Sequence, residues 1–160
     1  MTVAIRSARP GEAGLVLSFV KALAAYEDLS HAVAATEAAL DRALFGPAPR
    51  VFCDLAEVDG VAVGFALWFH SYSTFQGAAG IYIEDLFVLP EARGHGVGKA
   101  LVVHLARRCR DEGLGRLHWA VLDWNAPAIA FYRSLGAVMR DEWRAMGLTG
   151  AALEKLGGGR

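Results

Sequence analysis

Seven consecutive residues, Arg93-Gly94-His95-Gly96-Val97-Gly98-Lys99, carry the strongest chemical signal in this 160-residue chain. Three glycines at alternate positions strip side chains from a turn. The turn joins a strand-like segment, Ile81 to Val88, to a helix-like one, Gly98 to Glu112. Bare N–H groups at the positive end of a helix suit a phosphate or pyrophosphate, and Arg93 and Lys99 add positive charge. Such glycines cost roughly 0.5–1 kcal/mol each relative to Ala, so a turn without a ligand is the weaker explanation. His95 lies inside the loop and reads as solvent-facing rather than catalytic.

Other residue types point to acid–base chemistry. Glu84 and Asp85 are adjacent carboxylates in an otherwise apolar strand, where an unpaired charge is costly. Neighbours on a strand face opposite ways, so only one can enter a given cleft unless a bulge intervenes. Structural ion pairs are the alternative explanation. Tyr132 lies on an amphipathic helix, and by spacing alone it reads as a core aromatic. Tyr26, Glu27, Asp123, Trp124, Glu142 and Trp143 are acidic and aromatic candidates for holding a cation. Glu142 and Trp143 fit a subunit interface equally well. His31, His70, His104 and His118 show no metal-ligand spacing, so no metal is expected.

Two phosphate motifs fail. A Walker A loop needs a hydroxyl after Gly98-Lys99, where Ala100 stands, and a glycine where Arg93 stands. A dinucleotide turn needs G-x-G-x-x-G after the first strand, whereas this spacing is G-x-G-x-G after several strands.

The elements that must position these residues follow from periodicity and punctuation. Val3 to Ser7 reads as a strand. Pro10-Gly11-Glu12 opens a helix carrying Leu15, Val16, Phe19, Val20 and Leu23. Ala34 to Leu44 is a second helix, stopped at Gly46-Pro47. Val51–Val58 and Val61–Tyr72 flank the hairpin signal Asp59-Gly60. Gly77 and Gly80 mark a turn before Ile81 to Val88. The next helix buries Leu101, Val102, Leu105 and Cys109. Arg116 to Leu122 is a strand, and Asn125 caps a helix with Pro127 in its first turn. That helix buries Ile129, Phe131 or Tyr132, and Leu135. Met139 to Leu148 reads as a final strand. Short turns make the early strands antiparallel, and the crossover from Ile81 to Leu122 makes one pair parallel.

Composition is 54% hydrophobic and 21% charged with a formal net charge of −1, enough apolar content for a sizeable core. No Lys/Arg block suggests nucleic acid. No apolar run is long enough to span a bilayer. Residues 1–6 lack the build of a signal peptide. Cys53 and Cys109 read as reduced core thiols, inert in catalysis, which implies a soluble cytoplasmic protein. One domain is expected over 1–156, with a flexible tail at 157–160.

The run Arg93 to Gly98 fits R/Q-x-x-G-x-G/A, the pyrophosphate loop of the GNAT superfamily of acyl-coenzyme A N-acyltransferases. Ile83 to Val88 and Trp124 to Tyr132 follow in that family's order. With Ala24-Ala25-Tyr26-Glu27 and the motif around Phe75 and Gly77, the chain resembles the diamine (spermidine/spermine) N-acetyltransferase branch from about Val3 to Leu156. The resemblance implies a mixed α/β fold: a mostly antiparallel twisted sheet, one parallel β-α-β unit, and helices on both faces. It implies acetyl-CoA as cosubstrate, held by Phe87, Val88, Arg93, Gly94, His95, Gly96, Val97, Gly98, Lys99, Asn125 and Tyr132. It makes Tyr132 the general acid for the departing thiolate and Glu84 the proton acceptor, directly or through water. Tyr26, Glu27, Glu84 and Asp85 would bind a small-molecule amine, and the protein would be a homodimer without nucleic-acid or membrane partners.

The chemistry is permissive. A primary amine of pKa ~10.4 is about 99.9% protonated at pH 7.4, so exposing the nucleophile costs about 4 kcal/mol and calls for a base. Proton transfer from a tyrosine of pKa ~10 to a thiolate of pKa ~8.5 is uphill by about 2 kcal/mol, which positioning can offset. A backbone N–H near Phe87 or Val88 would stabilise the oxyanion. The chain departs from its relatives at the tight Asp59-Gly60 turn and after Arg140, which leaves the acceptor open: a polyamine, a thialysine-like amino acid or another small amine. Acetylation of a protein or peptide, or CoA binding without turnover, are the alternatives.

Overall fold

A computed structural model describes residues 2–158. The expectations for Met1 and for the tail at 159–160 lie outside the described residues. Two compact units divide the chain, Met1–Leu122 and Asp123–Arg160.

The first unit is a five-stranded sheet in the order β1-β2-β3-β4-β5. Its strands are β1 (Val3–Ser7), β2 (Phe52–Val58), β3 (Val61–Ser73), β4 (Ala78–Val88) and β5 (Leu117–Trp119). The first four pair antiparallel in sequence, and β4 pairs parallel with β5. Asp59 and Gly60 take φ of 50° and 82°, both positive as a two-residue hairpin turn demands. Helices α1 (Ala13–Tyr26) and α2 (Glu37–Phe45) cover one face, and α3 (Val97–Asp111) covers the other. The helix expected from Ala34 begins instead at Glu37, because the Thr36 side chain caps it by accepting from the Ala39 N–H at 3.2 Å.

Alternation along the strands builds a core on each face. Val16, Phe19, Leu55, Phe65 and Phe87 pack on the α1 side, where Phe19 stacks on Phe65 at 5.5 Å between ring centroids. Ala56, Trp68, Ile81, Ile83, Leu101 and Leu105 pack on the α3 side. Asp54 is buried among them, accepting from Ser7 Oγ at 2.9 Å and Trp68 Nε1 at 2.8 Å. Its two donors offset the cost of burying the carboxylate.

Gly80 is not part of a turn. It lies inside β4, where a Cβ would meet Arg116 Cγ at 2.6 Å and the Arg116 carbonyl at 2.8 Å. β5 is three residues long rather than the seven of the expected Arg116–Leu122 strand.

In the second unit, α4 (Ala126–Ser134) is capped by Asn125, whose Oδ1 accepts from the Ala128 N–H at 3.2 Å. None of the α4 side chains is fully buried, Ile129, Phe131 and Tyr132 being half-buried. The strand expected over Met139–Leu148 does not form; residues 137–149 are irregular and α5 (Gly150–Gly157) follows. A strand needs a ladder partner for its backbone groups, and among its described residues this unit contains no other strand.

Candidate active site

The carboxylates of β4 are arranged by a bulge. Leu67 stands opposite Asp85 and Trp68 opposite Ile83, so Glu84 is the extra residue. Before the bulge Ile81 and Ile83 face α3; after it the phase reverses, with Val88 facing α3 and Phe87 facing α1. Glu84 is in phase with Tyr82 and Asp85 with Phe87, so the bulge brings both carboxylates to the α1 face. Glu84 is exposed and Asp85 half-buried.

Burial first, then the charges of Glu84 and Glu27, push the Asp85 carboxyl up to about 6. Burial also raises the carboxyl of Glu27, the residue that ends α1. Tyr82, which the sequence reading had not singled out, has its phenol pushed up by burial and by Glu84. The signal available was position: two residues before a charged strand residue puts a side chain on the same face. Among the described residues no ion pair involves Glu27, Glu84 or Asp85, which removes the ion-pair explanation for the two strand carboxylates.

Beside this acidic face the sheet opens. Pairing of β4 with β5 ends at Ile83 opposite Trp119, so within the first unit Glu84 to Val88 has no strand on that side. The Leu89 N–H donates to the Val63 carbonyl at 2.9 Å. Antiparallel alternation therefore turns the N–H and C=O of Val88 away from β3, toward the unpaired side. Of Phe87 and Val88, the latter presents its amide there.

The glycine loop follows. A short 3₁₀ turn, Pro90–Ala92, leads to Arg93, and Gly94 and Gly96 both take φ of 78°. A Cβ at either would meet nothing within 4 Å, so positive φ is what each glycine supplies there. Gly96 caps α3, and the first intrahelical bond runs from the Ala100 N–H to the Gly96 carbonyl. The N–H groups of Val97, Gly98 and Lys99 precede it and have no acceptor within the helix. Val97 is buried, so it can offer only its amide, whereas His95 and Lys99 are exposed. Those three amides fit a diphosphate.

Arg93 reaches back toward β4 and α1. Its Nε donates to the Val88 carbonyl at 2.9 Å, and its guanidinium lies 4.7 Å from the Tyr26 ring centroid and 5.2 Å from that of Phe87. Tyr26 is exposed at the end of α1, and its ring is 6.3 Å from Phe87. In the second unit, Asn125 is buried and the Tyr132 ring lies 5.1 Å from that of Phe131. Burial pushes the Cys53 thiol up to about 12 and also raises Cys109, as inert core thiols require. The described residues contain no cluster able to hold a metal. No helix among them is long and apolar enough to cross a membrane.

A mixed sheet with one parallel crossover, an opening beside β4 and a glycine loop at the start of α3 define an acyltransferase architecture. A model of the acetyltransferase (GNAT) family matches residues 19–137. A thialysine Nε-acetyltransferase from Bos taurus is 38% identical over 167 residues, covering 98% of each chain. An L-ornithine N5-acetyltransferase from Arabidopsis thaliana is 43% identical over 98 residues, 61% of this chain and 43% of that protein. The solved structure of an integron cassette protein from V. cholerae superposes with a TM-score of 0.80 at 29% identity, covering 98% of both chains. The chain belongs to the GNAT acetyltransferase family, and it is an acetyl-CoA-dependent amine N-acetyltransferase.

Proposed function

We propose that the chain moves an acetyl group from acetyl-CoA to the primary amine of a small cationic molecule: a diamine or polyamine, or an amino acid like the thialysine and ornithine of its relatives' names. The observation that carries this reading is the group Glu27, Glu84 and Asp85, three carboxylates with no ion pair among the described residues, beside the open side of β4. A second ammonium on the acceptor would supply the missing positive charge, and Tyr26 offers it a ring face.

In this reading the N–H groups of Val97 to Lys99 and the glycines Gly94 and Gly96 hold the pyrophosphate, and Asn125 contacts the pantetheine arm. Glu84, directly or through water, takes the proton from the acceptor ammonium. The amine nitrogen then bonds to the thioester carbonyl carbon, and the Val88 N–H receives the developing oxyanion. As the C–S bond breaks, the Tyr132 hydroxyl protonates the thiolate. Transfer is direct, with both substrates bound together. A second copy of the chain would cover the apolar side chains Trp143, Met146, Leu153 and Leu156, all exposed on the single chain. Two buried thiols support a reducing, cytoplasmic setting.

The test is a panel of polyamines, lysine and ornithine analogues, monoamines and peptides with acetyl-CoA, following release of free thiol. Turnover of diamines in preference to monoamines is expected, and Tyr132→Phe lowers kcat at least ten-fold with acetyl-CoA affinity unchanged. Turnover of peptides alone overturns the small-amine reading, and full kcat in Tyr132→Phe overturns the acid.

A further inference from the structure

Arg93 opens a loop that faces phosphate, yet its side chain turns back. Its Nε is bonded to the Val88 carbonyl, and its guanidinium lies over the rings of Tyr26 and Phe87. One side chain therefore ties three places: the end of α1, the end of β4 and the start of the glycine loop. Tyr26 immediately precedes Glu27, whose charge reaches Asp85. Val88 carries the amide that faces the unpaired side of β4. We infer that Arg93 is a positioning residue for the amine acceptor, bracing Tyr26 and the end of α1 against Phe87 and Val88, rather than chiefly a phosphate ligand.

The physics favours this use of arginine. A planar guanidinium can donate in its plane from Nε while its faces lie against aromatic rings. Lysine can keep a cation near Tyr26 but cannot do both at once. The last turn of α1 carries no basic residue of its own, so the cation over the Tyr26 ring comes from the glycine loop. With Arg93 shortened, Tyr26 and Glu27 lose one tie to β4, and the acceptor meets a less ordered wall.

The inference rests on the acetyl-transfer reading above, so the test has one arm that needs no turnover. Arg93→Ala, Arg93→Lys and Tyr26→Ala are compared in the full chain. In amide hydrogen exchange, Arg93→Ala speeds exchange across residues 24–29 at least three-fold, while Arg93→Lys lies between it and the parent. In kinetics, Arg93→Ala raises the acceptor KM at least five-fold. Tyr26→Ala adds less than two-fold on top, because the two residues act as one unit. Arg93→Lys restores part of the loss. Unchanged exchange over 24–29, or independent effects of the two substitutions on acceptor KM, would overturn the brace. A rise confined to the acetyl-CoA KM would return Arg93 to the phosphate. If no amine is turned over, the acetyl-transfer reading fails, and the exchange arm alone decides whether Arg93 braces α1.

Discussion

Replacing Asp85 by Asn should make the protein more stable and a poorer catalyst. Asp85 titrates near pH 6 in the folded chain against an ordinary value of 3.8. The unfolded chain therefore gives up this proton first as pH rises. Between about pH 4 and pH 6 the unfolded state binds fewer protons than the native state, so stability falls with rising pH, and the full penalty is present above pH 7. A displacement of this size corresponds to at most about 3 kcal/mol. Relaxation and solvent entry reduce it, so Asp85→Asn is expected to gain about 1–2 kcal/mol at pH 7.5. For a chain of this length that is a rise in Tm of roughly 2–8 °C. Near pH 4 most of the gain should vanish, because the parent carboxyl is then protonated in the native state and about 40% so in the unfolded one.

In the proposed site the same substitution removes one of three negative charges that would face the acceptor. An ammonium held by a hydrogen-bonded carboxylate gains about 1.5–3 kcal/mol from it, so the acceptor KM should rise by roughly ten-fold or more. Thermal unfolding across pH 4 to 8, paired with initial rates against varied acceptor, measures both effects on one variant. A stability gain that is equal at pH 4 and pH 7.5 would refute the electrostatic origin, since an uncharged packing change has no reason to track the titration. Loss of stability at pH 7.5 would refute it more directly. Gain of stability without any change in acceptor KM would separate Asp85 from the substrate.

Two further substitutions test the frame around the site. Gly96→Ala places a Cβ at φ of 78°, where space is open but the conformation is strained; a stability loss of about 1–2 kcal/mol is expected in urea, with at least a three-fold rise in acetyl-CoA KM, and wild-type values of both would show that the loop does not need this geometry. Asp54→Ala orphans Trp68 Nε1 and Ser7 Oγ; a loss of about 3 kcal/mol in urea unfolding is expected, against about half that for Asn, and a loss below 1 kcal/mol would mean that water replaces the carboxylate.

What could be read from the sequence divides along a physical line. Features set by a residue's own backbone were legible. Asp59-Gly60 demanded positive φ, Asn125 supplied a cap, and Gly94 and Gly96 announced a bare turn. Features set by a neighbour distant in sequence were not. Gly80 looked like a turn residue because its requirement is lateral: Arg116 occupies the space where its Cβ would lie. Residues 139–148 looked like a strand because alternation is local, whereas a strand exists only with a partner. For Arg93 the sequence gives its charge and its loop but not the direction of its side chain, which reaches Val88, Tyr26 and Phe87.

The bulge at Glu84 is where these two kinds of information meet. Adjacent carboxylates on a strand should part to opposite faces, and a sequence reading could only say that a bulge would change this. The register supplies the bulge, and with it a concentration of like charge that folding alone would disfavour. Other carboxylates of the first unit do meet bases: Glu12 and Glu57 share Arg6, and Glu112 meets Arg108. The pairing with Arg6 holds the Glu12 carboxyl down near 2, as an ion pair should. Glu27 and Asp85 are shifted the opposite way and have no such base among the described residues. Three carboxylates held together beside an open strand edge, two of them raised by burial, fit a site whose cation arrives with the substrate. Binding of a diammonium acceptor should then lower the Asp85 titration and raise the melting temperature more in the parent than in Asp85→Asn. An equal rise in both would mean that the acceptor's charge is met elsewhere.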